Sequence, residues 1–263
     1  MGSVMVGVTG AVANVTLSNP SKLNAMSRVM WRELRAAFES LSAHSALRCV
    51  VVSGEGKADG EGGHFSAGGD ISEYEAFRFN EASLKEFHEG DVWGALQAML
   101  NCDLPVIARI EGNCMGAGLE IASCCDIRLA STSARFGAPI AKLGFPMAPR
   151  EAALVMGAVG ELTAREMLLA ASVFDSSQML QRGFLNRVCG DAELNSQVQA
   201  YVDRIKVLAP QAAAMNKQSF RAMSQSIRAQ TASELIATAY VYAASTEHRE
   251  GVTAFIEKRP PKF

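Results

Sequence analysis

Two short stretches have residue types and spacing suited to chemistry: Phe65-Ser66-Ala67-Gly68-Gly69-Asp70 and Gly112-Asn113-Cys114-Met115-Gly116-Ala117-Gly118-Leu119-Glu120. Each puts small residues where the backbone must approach something closely. The second runs into a helix, whose start presents unpaired N–H groups and a partial positive charge. Two such N–H groups aimed at one point would hold an oxyanion. Glu120, three residues beyond Ala117, would be a base beside it. The chemistry is that of an enolate or a related oxyanion. A plain reading exists for each part. The glycines could serve tight strand-to-helix packing, and Glu120 could lie on a solvated helix face. Two matched small-residue turns weaken the first reading. The apolar neighbours Leu119, Ile121 and Ala122 weaken the second, because burial would raise the carboxyl pKa toward a value suited to proton transfer.

The positioning elements can be read from periodicity. Val4 to Leu17 alternates, broken at Thr9-Gly10, and predicts a hairpin. Met30, Leu34, Phe38 and Leu41 recur at helical spacing behind a Ser27 cap. Leu47–Ser53 and Pro105–Ile110 are continuous apolar runs, as in buried strands. Gly54–Gly63 reads as a charged, Gly-rich loop, Glu81–Leu100 as a single helix, Leu119–Cys124 as a short helix and Asp126–Ala130 as a strand. Thr163-Ala164-Arg165-Glu166 has the form of a capping box. Ser176–Arg182 predicts a helix ended by Gly183, and Phe184–Val188 a last strand. Helices are expected over Asp191–Leu208, Gln211–Ser224, Ala232–Ser245 and Arg249–Lys258. Strands alternate with helices first, which implies α/β architecture with parallel pairing, and a helical tail comes after.

Composition narrows the classes. The 263 residues carry a net charge of −2, are 49% hydrophobic and 20% charged, and match an ordinary globular chain with no leaning toward nucleic acid. No apolar run reaches the roughly 18 residues of a membrane span. Without a basic apolar leader, a cytoplasmic location is expected. The six cysteines form no CxxC pair, so reduced, buried thiols are expected. A P-loop, a dinucleotide fingerprint and a nucleophile elbow are all missing. The histidines 44, 64, 88 and 248 are scattered; only His64 adjoins a site turn, and a structural role is favoured even there.

These residues resemble the crotonase family, the enoyl-CoA hydratase/isomerase superfamily. Ser18-Asn19-Pro20-Ser21-Lys22-Leu23-Asn24-Ala25 resembles its N-terminal motif. The two small-residue turns resemble its oxyanion turns, with Asp126 beyond the second. Arg249 to Arg259 resembles its C-terminal signature. The resemblance implies a spiral of β-β-α units over residues 1–200 and a helical trimerisation region over 201–263, in trimers or dimers of trimers. It implies acyl-CoA thioester substrates, no metal, and no cofactor beyond the coenzyme A of the substrate. By position, the amides of Gly69 and Ala117 would hold the thioester oxygen, with Ala67, Gly68 and Asp70 in the same turn. Glu120 would move a proton. Lys22 and, from a neighbouring subunit, Phe255 and Lys258 would contact coenzyme A.

One departure matters. In the family's hydratases a second glutamate comes directly after a Phe-Gly-x-Pro pattern. Here Phe136-Gly137-Ala138-Pro139 leads into Ile140, which can neither transfer a proton nor orient water. Glu151 lies further on and is a candidate to substitute for it, although a solvated helix-start acid is the favoured reading. Hydration is the default reading. Isomerisation or decarboxylation with a lone Glu120, and a catalytically silent acyl-CoA-binding protein, are the alternatives.

Overall fold

The N-terminal hairpin pairs β1 (Ser3–Thr9) antiparallel to β2 (Val12–Ser18), turning at Gly10 with φ +59°. In the computed structural model, which describes residues 2–56, 63–222 and 240–262, this hairpin forms the edge of a six-stranded sheet. The strand order is β1-β2-β3-β4-β6-β9, where β3 is Cys49–Gly54, β4 Val106–Ile110, β6 Ile127–Ser131 and β9 Arg187–Cys189. Every pairing after the hairpin is parallel. Its central strands are largely apolar because helices cover both faces, with Arg109 in β4 and Arg128 in β6 as the charged exceptions. A second, three-stranded sheet holds β5 (Asn113–Met115), β7 (Arg135–Gly137) and β8 (Val173–Asp175) in the order β5-β7-β8.

Helix α1 (Arg28–Ser42) starts as expected: the Met30 N–H donates to the Ser27 hydroxyl at 3.2 Å, and Trp31, Leu34 and Phe38 are fully buried. Between β3 and β4 the chain is helical from 81 to 101, in three pieces. α2 (Glu81–Glu86) passes into a π-turn (Phe87–Val92) and then into α3 (Trp93–Asn101). The single helix read from the sequence is therefore widened in its middle, as helices often are at functional sites. The wide turn lets Phe87 and His88 face one way while Asp91 receives Arg28 Nε and Arg32 Nε from α1, each at 2.7 Å.

α4 (Ala117–Ser123) comes after β5, with a single glycine between them. α5 (Pro149–Val159) and α6 (Glu161–Leu169) are separated by Gly160 at φ +83°. That break moves the start of α6 two residues ahead of Thr163, which is buried inside the helix, so the predicted capping box does not form. α7 (Ser176–Gln181) does carry a capping box, between Asp175 and Gln178. The last strand begins at Arg187 rather than Phe184, because the Phe184 ring is fully buried against Phe136.

α8 (Leu194–Lys206) packs on the sheet and runs through position 200; α9 covers 210–222. The expected helix over 232–245 lies outside the described residues up to 239, and Val241–Ala244 is a 3-10 turn. α10 (Thr246–Ile256) returns to the body of the molecule. Its Gly251 lies so close to Leu143 that an added Cβ would stand 2.3 Å from the Leu143 carbonyl carbon. All six cysteines are free and all but the half-buried Cys189 are buried. Among the described residues no helix is long and apolar enough to cross a membrane.

Candidate active site

The two small-residue turns interlock as a short parallel ladder. The Ser66 N–H donates to Asn113 O at 2.8 Å and the Met115 N–H to Ser66 O at 2.9 Å. The first turn is also held from the other side: Met26 N–H donates to Gly68 O and Asp70 N–H to Met26 O. The chain can pass this closely only without side chains. A Cβ on Gly118 would stand 2.9 Å from Ser66 O, and one on Gly69 only 2.3 Å from the Tyr74 hydroxyl. Gly68 at φ +112° and Gly116 at φ +46° use conformations that side chains oppose. Gly116 leads α4 with no capping side chain. The N–H groups of Gly69 and Ala117 find no backbone acceptor among the described residues and border the same cavity.

That cavity, about 270 Å³, is largely apolar. Ala67, Gly68, Ile140, Leu143, Phe145 and Met147 form much of its wall. Two carboxyls line it, and both are buried: Glu120 is 7% exposed and Glu151 3%. Glu120 sits on the first turn of α4, Glu151 on the first turn of α5. Burial pushes the Glu120 carboxyl well above its usual range, Glu151 pushes it further, and the Arg78 guanidinium opposes both. Burial likewise pushes Glu151 up to about 8 against the pull of Arg78. Glu151 Oε1 is 2.7 Å from His88 Nδ1. Burial and the nearby Arg78 push His88 well below the ordinary imidazole range, so its ring is neutral. Tyr74, also on the wall, has its hydroxyl pushed up by burial.

Glu151 thus corrects the expectation of a solvated acid. Its position in the first turn of a helix that looks amphipathic gave no sign that this face meets a cavity. His88 and not His64 reaches the site; the Asn113 N–H donates to His64 Nδ1 at 3.0 Å behind the turn. Lys22 is committed within the chain: its ammonium donates to Asp70 Oδ2 and to the Ser72 hydroxyl, each at 2.7 Å. Asp70 also receives the Ser72 N–H and lies below the ordinary carboxylate range, its burial outweighed by the bonds from Lys22 and Ser72. Phe255 lies at the cavity of its own chain, half exposed, whereas Lys258 is exposed and off the cavity wall. Ile140 opens the 3-10 turn Ile140–Leu143 that forms one wall.

A sheet spiral leading to two interlocked turns and a buried carboxyl is the crotonase architecture. The chain belongs to the enoyl-CoA hydratase/isomerase family, whose model matches residues 7–263. It is 31% identical over 261 residues to a short-chain-enoyl-CoA hydratase of Clostridium acetobutylicum, covering 98% of this chain and 96% of that one. Its fold superposes with a TM-score of 0.81 on the crystal structure of an enoyl-CoA hydratase/carnithine racemase from Magnetospirillum magneticum, at 33% identity over 100% of this chain and 96% of that chain. A methylmalonyl-CoA decarboxylase in complex with 2-nitronate-propionyl-CoA shares the fold with a TM-score of 0.86 at 24% identity, over 99% and 98% of the two chains.

Proposed function

We propose that the protein hydrates 2-enoyl-CoA thioesters reversibly, using two carboxyls: Glu120, where the resemblance places it, and Glu151, from α5 rather than directly after the Phe-Gly-x-Pro pattern. The observation that carries this reading is the presence of buried Glu120 and Glu151 on one cavity beside two unpaired N–H groups. The N–H groups of Gly69 and Ala117 receive the thioester oxygen as it gains charge, each donor lowering the barrier by about 3–4 kcal/mol. Glu120 exchanges the proton at the carbon next to the thioester. Glu151, oriented by His88, stands where a water could be held or a second proton moved. Carboxyls raised toward neutrality are suited to both directions of transfer.

Isomerisation of the double bond is the second reading. It is favoured by the apolar wall of Ile140, Leu143 and Met147, which disfavours a bound water. Exposed Lys258 and Lys22, which is paired with Asp70 yet 44% exposed, are cations suited to the phosphates of coenzyme A. The rate of crotonyl-CoA hydration tests the first reading, alongside deuterium entry from solvent at the acyl α-carbon. Hydration with Glu120→Gln slowed by about 10²-fold or more is expected. Exchange without hydration would favour isomerisation. Neither activity on any acyl-CoA would leave a silent binder.

A further inference from the structure

Arg78 is the unusual member of the cavity wall. It is 1% exposed, packed with its guanidinium carbon 3.7 Å from the Phe145 ring centroid and 4.4 Å from that of Tyr74. Its Nε donates to His248 Nε2 at 3.4 Å and its Nη2 to the Tyr242 hydroxyl at 3.5 Å, both long bonds to neutral groups. Among the described residues no carboxylate oxygen comes within 4.0 Å of it. A buried guanidinium without an anion in contact is costly. A second polar group on the same wall is also incomplete. His88 Nε2 is buried and has no hydrogen-bond partner, while Nδ1 is taken by Glu151.

Glu120 and Glu151 feel the Arg78 charge without touching it. Both remain raised by burial despite it. Among the described residues the Arg78 charge therefore has no anion in contact, on the wall of the cavity that would receive the acyl group.

We propose that the acyl group carries a carboxylate of its own, received by the Arg78 guanidinium with His88 Nε2 beside it, so that the substrates are coenzyme A monothioesters of dicarboxylic acids. The proposal rests on the acyl-CoA reading above and names its substrate class. Arg suits the task because its planar fork matches a carboxylate in a way that a point charge cannot.

Saturated, non-reacting thioesters test it in matched pairs: glutaryl-CoA against pentanoyl-CoA and adipyl-CoA against hexanoyl-CoA, titrated calorimetrically into the wild-type protein. In at least one pair the carboxylate should tighten binding about 10-fold or more, as for a charge-assisted bond inside a protein. Arg78→Met should bring that ratio toward one, and Arg78→Lys should restore only part of it. The wild-type ratios stand even if a variant fails to fold. Alkyl thioesters that bind as tightly as, or tighter than, their carboxylate partners in both pairs would overturn the carboxylate site and leave the acyl-CoA reading intact. Failure of every thioester to bind would overturn both.

Discussion

Glu151 changes what the site can do. Ile140 occupies the place expected for a second acid, and an acid is supplied instead from the first turn of α5, eleven residues along the chain. Its raised pKa has a consequence that needs no substrate. A carboxyl at about 8 when folded and 4.5 when unfolded leaves stability fully present below pH 4.5. That stability is lost as pH rises toward 8, because the unfolded chain releases the proton first. Glu151→Gln removes the loss and can keep the His88 bond. It should therefore raise the melting temperature at pH 8–9 by several degrees and change it little near pH 4.5. An equal effect at both ends of the range would mean that Glu151 is not held protonated. At this scale the sequence was legible where backbone geometry restricts residue type, as at Gly68, Gly69 and Gly116. It was silent for His88 and Arg78 and offered Glu151 only as the less favoured substitute acid, because nothing local distinguishes a buried charged side chain facing a cavity from one facing water.

The elements show the same division. Alternation and apolar runs located the strands of the six-stranded sheet to within a few residues, but the three-residue strands β5, β7 and β8 of the second sheet are too short to show a period and were missed. The π-turn within 87–92 leaves no mark on periodicity, because one extra residue in a turn changes the helical phase too little to see over so short a segment. Gly160 was the other surprise: a lone glycine separates α6 from α5 and sets the start of the later helix. The ladder between the two site turns makes a sharp prediction. Gly118→Ala places a methyl 2.9 Å from Ser66 O, against backbone that cannot yield cheaply. It should separate the Gly69 and Ala117 amides, lowering turnover by about 10-fold or more, since an oxyanion donor moved by a fraction of an ångström loses much of its roughly 3–4 kcal/mol. Substrate binding should weaken less. Unchanged turnover would show that the amides do not act together.

Across the whole molecule, the surface is uneven. Leu162 is 80% exposed, Leu169 77%, Val207 82% and Phe220 64%. Exposed apolar side chains on α6, α9 and just beyond α8, together with the trimers or dimers of trimers that the resemblance implies, lead us to expect self-association. Light scattering coupled to size exclusion should give a mass three or six times the 28.0 kDa of one chain. A monomer at micromolar concentration would exclude it. The last feature is the seam where α10 lies on the Ile140–Leu143 turn, Gly251 against Leu143 and Gly144 against Glu247 O. The seam joins the far end of the chain to one wall of the cavity, so it governs how wet the interior is. Gly251→Val would prise the helix away and admit solvent. The raised pKa values of Glu120 and Glu151 depend first on dryness, and hydration would return them toward ordinary carboxylic acids. The alkaline shoulder of the pH–rate curve should then migrate toward acid in Gly251→Val, although the substitution touches neither carboxyl. Helix α10 is in this sense a dielectric setting for the two carboxyls proposed to move protons.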